Sequence, residues 1–428
     1  MGRGHAGAGP ATEALGIENH SGACYHSLKV ETTRTAGTLF TTKDTKARTH
    51  EGTKNIENTS SWLRHLVRPF AVPRDVGGMR DYQRSGGLHS CCHIHGADVN
   101  ESARGRFLHV ANGTCTTNVI EAAGIPGMRS IWADPLYEGP VPAGLSDADL
   151  LDVRRRFLAS DADSDVDPMN DMRRWRQVIE DHERYDELVL WFEHDLFDQL
   201  NLIQLLSWMR TRVPAAKPVS LVCIGSFPGR AGFKGLGELS PEELAPLFKT
   251  RHRVRDAEYT VAERAWRLFR EPTPEPLNDL RREDTTALPY LAPALERLLQ
   301  EYPSTADGLS RTERRLLRLA DAHPIDLRAA FPRMHDDEDA YYVTDGSLAD
   351  LAATLSRTSP PLVTIDDDPS ADGFLRGAVS LTDAGREVLS GRRDRVACGL
   401  DRWVGGVHLQ SGVAMWRWDD RQRRVIRS

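Results

Sequence analysis

The sequence predicts an α/β protein: a Rossmann-like parallel-sheet domain, then a helical segment, then a winged-helix-like α+β module. Three observations predict it. The apolar runs Phe107-Leu-His-Val-Ala111 and Leu188-Val-Leu-Trp-Phe192 each stop abruptly at small or acidic polar residues. A helical pattern starts at once after both, and strands alternating with helices favour a parallel sheet with right-handed crossovers. Residues 306–428 carry instead a capped helix, two further helical stretches and two short strands that would form a wing.

A chain of 428 residues has room for two or three domains, and its 40% hydrophobic and 27% charged content is that of an ordinary globular protein. No apolar run approaches the length of a membrane span. The first residues lack the apolar segment of a secretory signal. The six cysteines show no paired framework. A cytoplasmic protein without a membrane partner is therefore expected. Residues 1–104 carry a net charge of +3 and the remainder −10. So acidic a body argues against a general nucleic-acid binder, whose affinity comes mainly from neutralising phosphates.

The chain divides into four parts. Residues 1–104 hold four of the seven lysines and the polar tract from Thr41 to Lys54, and show no sustained period. They are expected to be a disordered or spurious extension, because so little apolar surface cannot offset the entropy of ordering. The cluster His89-Ser-Cys-Cys-His-Ile-His95 offers zinc-type ligands but not at finger spacing.

Residues 105–230 form the α/β unit. The first strand is expected at 106–111 and its helix at 117–123, ended by Gly124. The second strand is expected at 130–133. A proline-rich loop follows, then a helix capped by Ser146 with Asp149 three residues on. A further helix covers 168–184. The third strand covers 187–192, its helix 196–212, and the fourth strand 219–224.

Residues 231–305 are expected to be helical. Ser240-Pro-Glu-Glu243 starts one helix, 257–270 has helical apolar spacing, and 290–301 is amphipathic. In residues 306–428, helices are expected at 309–320, 325–331 and 347–357, wing strands at 361–365 and 377–381, and a closing helix at 382–389. The third of those helices has one basic and one acidic residue, too little charge for a typical base reader. The module as a whole holds 18 Arg against 20 Asp and Glu. Arg417, Arg421, Arg423, Arg424 and Arg427, with Trp416 and Trp418, form a basic tail expected to be a solvated end rather than a nucleic-acid contact.

Ligands of open parallel sheets bind where strands run into helices. At the first junction, Asn112, Gly113, Thr114, Thr116 and Thr117 sit where a phosphate-binding turn would sit. The glycine lets a ligand approach, and the helix amides favour an anion. The turn lacks the Lys of a Walker loop and the G-x-G-x-x-G pattern, so a capped turn without a ligand accounts for it equally. At the second junction, Glu193, Asp195 and Asp198 are the candidate catalytic residues, for acid–base work or for holding a divalent metal ion, with Gln199 beside them. Helix capping and dipole effects explain Asp195 and Asp198 as well. After the second strand, Asp134, Glu138 and Gly139 are candidate ligand contacts, by analogy with the ribose-binding acid of dinucleotide folds. One of Arg154, Arg155 and Arg156 on the next helix is a candidate phosphate or carboxylate clamp, but the three point in three directions and most are expected to face solvent. His109, inside a strand, is expected to be structural, and no nucleophile stands out.

Three stretches, His109-Val-Ala-Asn-Gly-Thr114, Trp132-Ala-Asp-Pro-Leu-Tyr-Glu-Gly-Pro140 and Trp191-Phe-Glu-His-Asp-Leu-Phe-Asp-Gln-Leu-Asn201, together resemble an uncharacterised bacterial family, domain of unknown function 1835. Its pattern joins a strand ending in His-x-x-Asn-Gly-Asp or a similar turn, a second strand followed by Asp and Gly-Pro, and a later Trp followed by acids and Gln. Thr114 stands where that family often shows Asp. The resemblance covers roughly residues 105–230, extends to Gly308–Arg314 and Leu400–Leu409 of longer members, and implies no settled activity. From the residues themselves we expect a small-molecule site for a nucleotide or other phosphate-bearing metabolite, with hydrolase or transferase chemistry. The rival expectation is a transcription-associated or protein-interaction regulator, with the α/β part as sensor and the winged-helix part as contact.

Overall fold

A computed structural model describes residues 106–158, 168–341, 343–366 and 375–428. The N-terminal extension and the His89–His95 cluster lie outside the described residues.

The strands β1 (Phe107–Ala111), β2 (Met128–Ile131), β3 (Glu187–Glu193) and β4 (Val219–Ile224) form a parallel sheet in the order β2-β1-β3-β4. β1 and β3 are almost wholly buried, as central parallel strands covered on both faces must be. Alternate residues feed two apolar layers. Leu108, Val110, Leu188, Leu190 and Phe192 face one layer; Ala111, Val189 and Trp191 face the other. A two-residue strand, β5 (His252–Arg253), pairs antiparallel with β4 at the edge. The sequence pattern gives no sign of it, because two residues carry no period.

Helix α1 (Thr114–Ala122) starts three residues before the expected position, and β2 lies two residues earlier than expected. Helices α2 (Asp147–Leu158) and α3 (Pro168–Glu180) connect β2 to β3. Ser146 caps α2 as expected: its hydroxyl accepts from the Asp149 amide at 3.2 Å and donates to the Asp149 carboxylate at 2.7 Å. Helix α4 (Leu196–Arg212) and β4 fall at the expected residues. Twelve of the residues of α4 are buried, including Asp198, Gln199, Asn201 and Gln204. The chain leaves β1 toward β2 on one side and returns to β3 on the other. The strand order therefore reverses between β1 and β3, which is the crevice where ligands of such sheets bind.

Beyond the sheet come α5 (Pro241–Leu244), α6 (Asp256–Phe269), α7 (Glu275–Leu280) and α8 (Leu291–Leu299). Then follow α9 (Arg311–Leu319), β6 (Ile325–Asp326), α10 (Leu327–Met334), α11 (Asp345–Ser356), β7 (Val363–Asp366), β8 (Ala378–Leu381) and α12 (Asp383–Leu389). The last three strands pair antiparallel in the order β6-β8-β7. The helix expected at 325–331 is thus divided. Ile325 and Asp326 enter the sheet, and the Asp326 carboxylate caps α10 by accepting from two amides.

The C-terminus is not a solvated tail. Strands β9 (Asp401–Val404) and β10 (Val407–Gln410) make one hairpin, and β11 (Trp416–Asp419) and β12 (Arg424–Arg427) another. Arg417 pairs with Asp394 at 2.6 Å, Arg423 pairs with Glu296, and Trp418 is buried. One apolar cluster runs without a break from Leu108 in β1 to Val425 in β12. No helix among the described residues is long and apolar enough to cross a membrane.

Candidate functional site

Glu193 ends β3 on the face of Val189 and Trp191, because alternate strand residues share a face. Asp195 is the N-cap of α4, its carboxylate accepting from the Asp198 amide at 2.9 Å. Asp198 lies in the first turn, and its Oδ1 accepts from the Glu193 amide at 2.8 Å. A strand that runs straight into a capped helix thus folds three acids onto one point. One oxygen from each lies within 4.8 Å of those of the others, and the residues are only 4%, 5% and 0% exposed.

Asn112, directly after β1, bridges the group. Its side-chain amide donates to Glu193 Oε2 at 3.0 Å and to Asp198 Oδ2 at 2.8 Å. Its carbonyl accepts from the Thr116 hydroxyl at 3.1 Å. Among the described residues, no Lys, Arg or His forms an ion pair with any of the three acids. Burial, followed by the Asp195 charge, pushes the Glu193 carboxyl up to about 8. Burial raises Asp195 to about 6. Burial and both neighbouring acids push Asp198 well above the carboxylate range. In free energy, three carboxylates removed from water without an ion-pair partner favour proton or cation binding. Oxygen-only donors suit a hard divalent ion such as Mg²⁺, Mn²⁺ or Ca²⁺.

Gln199 points its side-chain amide at the Glu193 carbonyl, donating at 2.6 Å. Its Oε1 is buried with no hydrogen-bond partner. Cys223 on β4 lies against the same carbonyl at 3.6 Å, and burial pushes its thiol up, away from a reactive thiolate.

The remaining candidates are placed otherwise. Thr116 is buried and Thr117 donates to the Thr114 carbonyl at 3.0 Å, so their hydroxyls serve the turn rather than a ligand. Thr114 is exposed, and the space beside Gly113 is open. Asp134 does not join the acids at the switch point. It is buried against Arg154, which is 1% exposed and grips it through Nε and Nη2, the closest contact being 2.6 Å. Arg154 also donates to the Glu138 and Pro135 carbonyls. It therefore holds the loop after β2 and is not an anion clamp. The Asn201 side chain closes a ring with the Asp134 peptide, accepting from its N–H and donating to its C=O, both at 2.9 Å.

The Glu138 carboxylate accepts from the Ser347 hydroxyl at the start of α11, and burial raises it to about 7. It serves the junction with the C-terminal part. A Cβ on Gly139 would fall 2.5 Å from the Phe157 ring, so that glycine is required by packing. His109 is structural. Its Nδ1 accepts from the Trp191 indole at 3.1 Å, its Nε2 donates to the Pro126 carbonyl at 3.1 Å, and burial lowers it to about 4, keeping it neutral.

The residues missing from the sequence reading lie in Gly225-Ser-Phe-Pro-Gly-Arg-Ala-Gly-Phe-Lys-Gly-Leu-Gly237, which crosses over the acids after β4. The Leu236 amide donates to Glu193 Oε1 at 2.6 Å. A Cβ on Gly235 would lie 2.9 Å from Glu193 Oε2, and one on Gly237 would lie 2.8 Å from the Cys115 Cβ. The density of glycines at a strand end was the available signal. A surface groove of about 530 Å³, lined by Ser207, Trp266 and Arg270 among others, lies elsewhere. It is about three turns along α4 from the acids. No protein-family model matches the sequence, and neither does any curated protein.

Proposed function

We propose that the cluster of Asn112, Glu193, Asp195 and Asp198 binds a hard divalent cation and, through it, a small phosphate-bearing metabolite or nucleotide. One observation carries this reading. Three carboxylates lie within reach of one ion, buried, at the topological switch point, and among the described residues no Lys, Arg or His forms an ion pair with them. In this reading the acids are the ion's ligands, and Glu193, raised to about 8, holds a proton near neutral pH until the ion displaces it. Hydrolysis or group transfer is the chemistry that fits, with water or a second substrate as nucleophile. Asp134 and Glu138 act as supports.

The resemblance of residues 105–230 to domain of unknown function 1835 stands as a proposal about family alone, since it implies no settled activity. We read residues 306–428 as winged-helix-like, on the order helix, strand, two helices, two strands. Its role here is packing, since Ser347 at the start of α11 faces Glu138 and Tyr137.

Melting curves with Mg²⁺, Mn²⁺ or Ca²⁺, alone and with ATP, ADP or a sugar phosphate, test this. An ion at a hundredfold excess over its Kd stabilises by about 2.7 kcal/mol. Asp195→Asn keeps a capping oxygen but removes one charge, so it should fold as well as the parent at pH 8 and lose the ion's effect. No shift with any ion or metabolite would falsify the reading.

A further inference from the structure

We propose that residues 230–239 form a lid over the acid cluster, hinged at Gly229 and Gly232 and latched to the C-terminal part of the chain by Lys234. That the lid admits a ligand rests on the site proposed above; that it opens does not.

The lid closes the acids directly. Its Leu236 amide donates to Glu193, and Gly235 and Gly237 lie so close to the Glu193 carboxylate and to Cys115 that a Cβ at either position would force a shift. An incoming ion must replace the Leu236 amide at Glu193 or share that carboxylate with it. The hinges are visible in the backbone. Gly229 and Gly232 have φ of +81° and +70°, the left-handed region that glycine occupies without strain, and both face open space. Downstream the chain is fixed again at Ser240, whose hydroxyl accepts from the Glu243 amide while Glu243 accepts from the Ser240 amide. Between these points Phe233 and Leu236 are buried in the smaller apolar cluster, which makes the closed position the resting one.

The latch is Lys234. Its ammonium donates to the His335 carbonyl at 3.1 Å and the Glu338 carbonyl at 2.8 Å. Those carbonyls are held in turn. The Glu338 carboxylate accepts from Arg297 at 3.1 Å and from Arg311 at 2.8 Å, and the nearby Ala340 carbonyl accepts from the first amide of α4 at 2.9 Å. The state of the lid is therefore tied to how residues 335–340 sit, and through them to α8 and α9. A two-position element biased from both ends is what coupling between a site and a distant part requires.

Two measurements decide it. Hydrogen exchange should show the amides of 234–238 opening locally, about 100-fold faster than those of β1 and β3. Lys234→Ala should add about a further tenfold at 234–238 alone. Exchange of these amides only together with the sheet core, in both proteins, overturns the lid. Gly237→Cys supplies the second measurement. Its Cβ would start 2.8 Å from that of Cys115, about 1 Å inside the usual disulfide separation, so a small outward shift allows a crosslink. Oxidised, the variant should take up Mn²⁺ much more slowly than the same sample after reduction. Equal uptake in both states overturns the lid as the entry route. Local opening with no Mn²⁺ uptake by the parent protein upholds the lid and sinks the cation site instead.

Discussion

At the scale of single residues, the acid cluster makes proton and ion binding compete. Glu193 and Asp195 titrate near 8 and 6 in the folded chain, against ordinary values of 4.5 and 3.8. Both shifts are upward, so the folded chain retains protons that the unfolded chain has released. The stability they contribute is full below about pH 4 and is lost as pH rises through 6 to 8. A divalent ion must displace those protons, so its affinity should climb over the same window, by about tenfold per pH unit for each proton displaced. Mn²⁺ titrations at pH 6, 7 and 8 check this, and an affinity flat across the range is incompatible with binding at these carboxylates. Among the described residues, the charge of Lys234 acts on Asp195 in the opposite sense, lowering it.

At the scale of elements, α4 organises both sides of the site. Its first turn supplies Asp195 and Asp198, and its second turn supplies Asn201, which clasps the Asp134 peptide after β2. Gln204 accepts from the Trp132 indole at 2.8 Å, fixing the same strand end. A helix this buried could be apolar throughout; instead Asp198, Asn201 and Gln204 face neighbours that complete them. Asn201→Ala would leave the buried Asp134 N–H unpaired, at about 1–3 kcal/mol, while the Asp134 C=O still accepts from the Leu136 amide at 2.7 Å. Urea unfolding should register a loss of about 1–3 kcal/mol, and a change under 0.5 kcal/mol would mean that water replaces the clasp. Arg154 belongs to the same support. Its bidentate grip on Asp134 makes removal of either partner costly, since the other is left charged and buried.

At the scale of the whole molecule, the described part of residues 306–428 packs against the α/β part. The apolar cluster joins them to the sheet, and α11 approaches the α/β part through Ser347, Glu138 and Tyr137. Two arginines of the last hairpin pair within the fold, Arg417 with Asp394 and Arg423 with Glu296. Duplex DNA should therefore bind weakly and without sequence preference. A salt titration checks it: tight binding whose logarithmic slope corresponds to several released counterions would place these arginines at a nucleic-acid surface and favour the regulator reading.

The sequence by itself determined what local periodicity and capping can encode. Leu196–Arg212 and Val219–Ile224 fall where their patterns put them, and Ser146, Ser240 and Ser310 each accept from the amide three residues on. It also determined that acids gather after β3, because a strand end and a helix start lie side by side in the chain. The tertiary structure decided where side chains meet across long separations. Asn112 reaches Glu193 from 81 residues away, and Lys234 reaches the Glu338 carbonyl from 104. Arg154 turns inward to Asp134 although its neighbours Arg155 and Arg156 pair along the helix surface with Asp152. No pattern in three consecutive arginines distinguishes them. Only the buried carboxylate on the facing loop does, since an unpaired charge there would cost far more than a surface pair contributes.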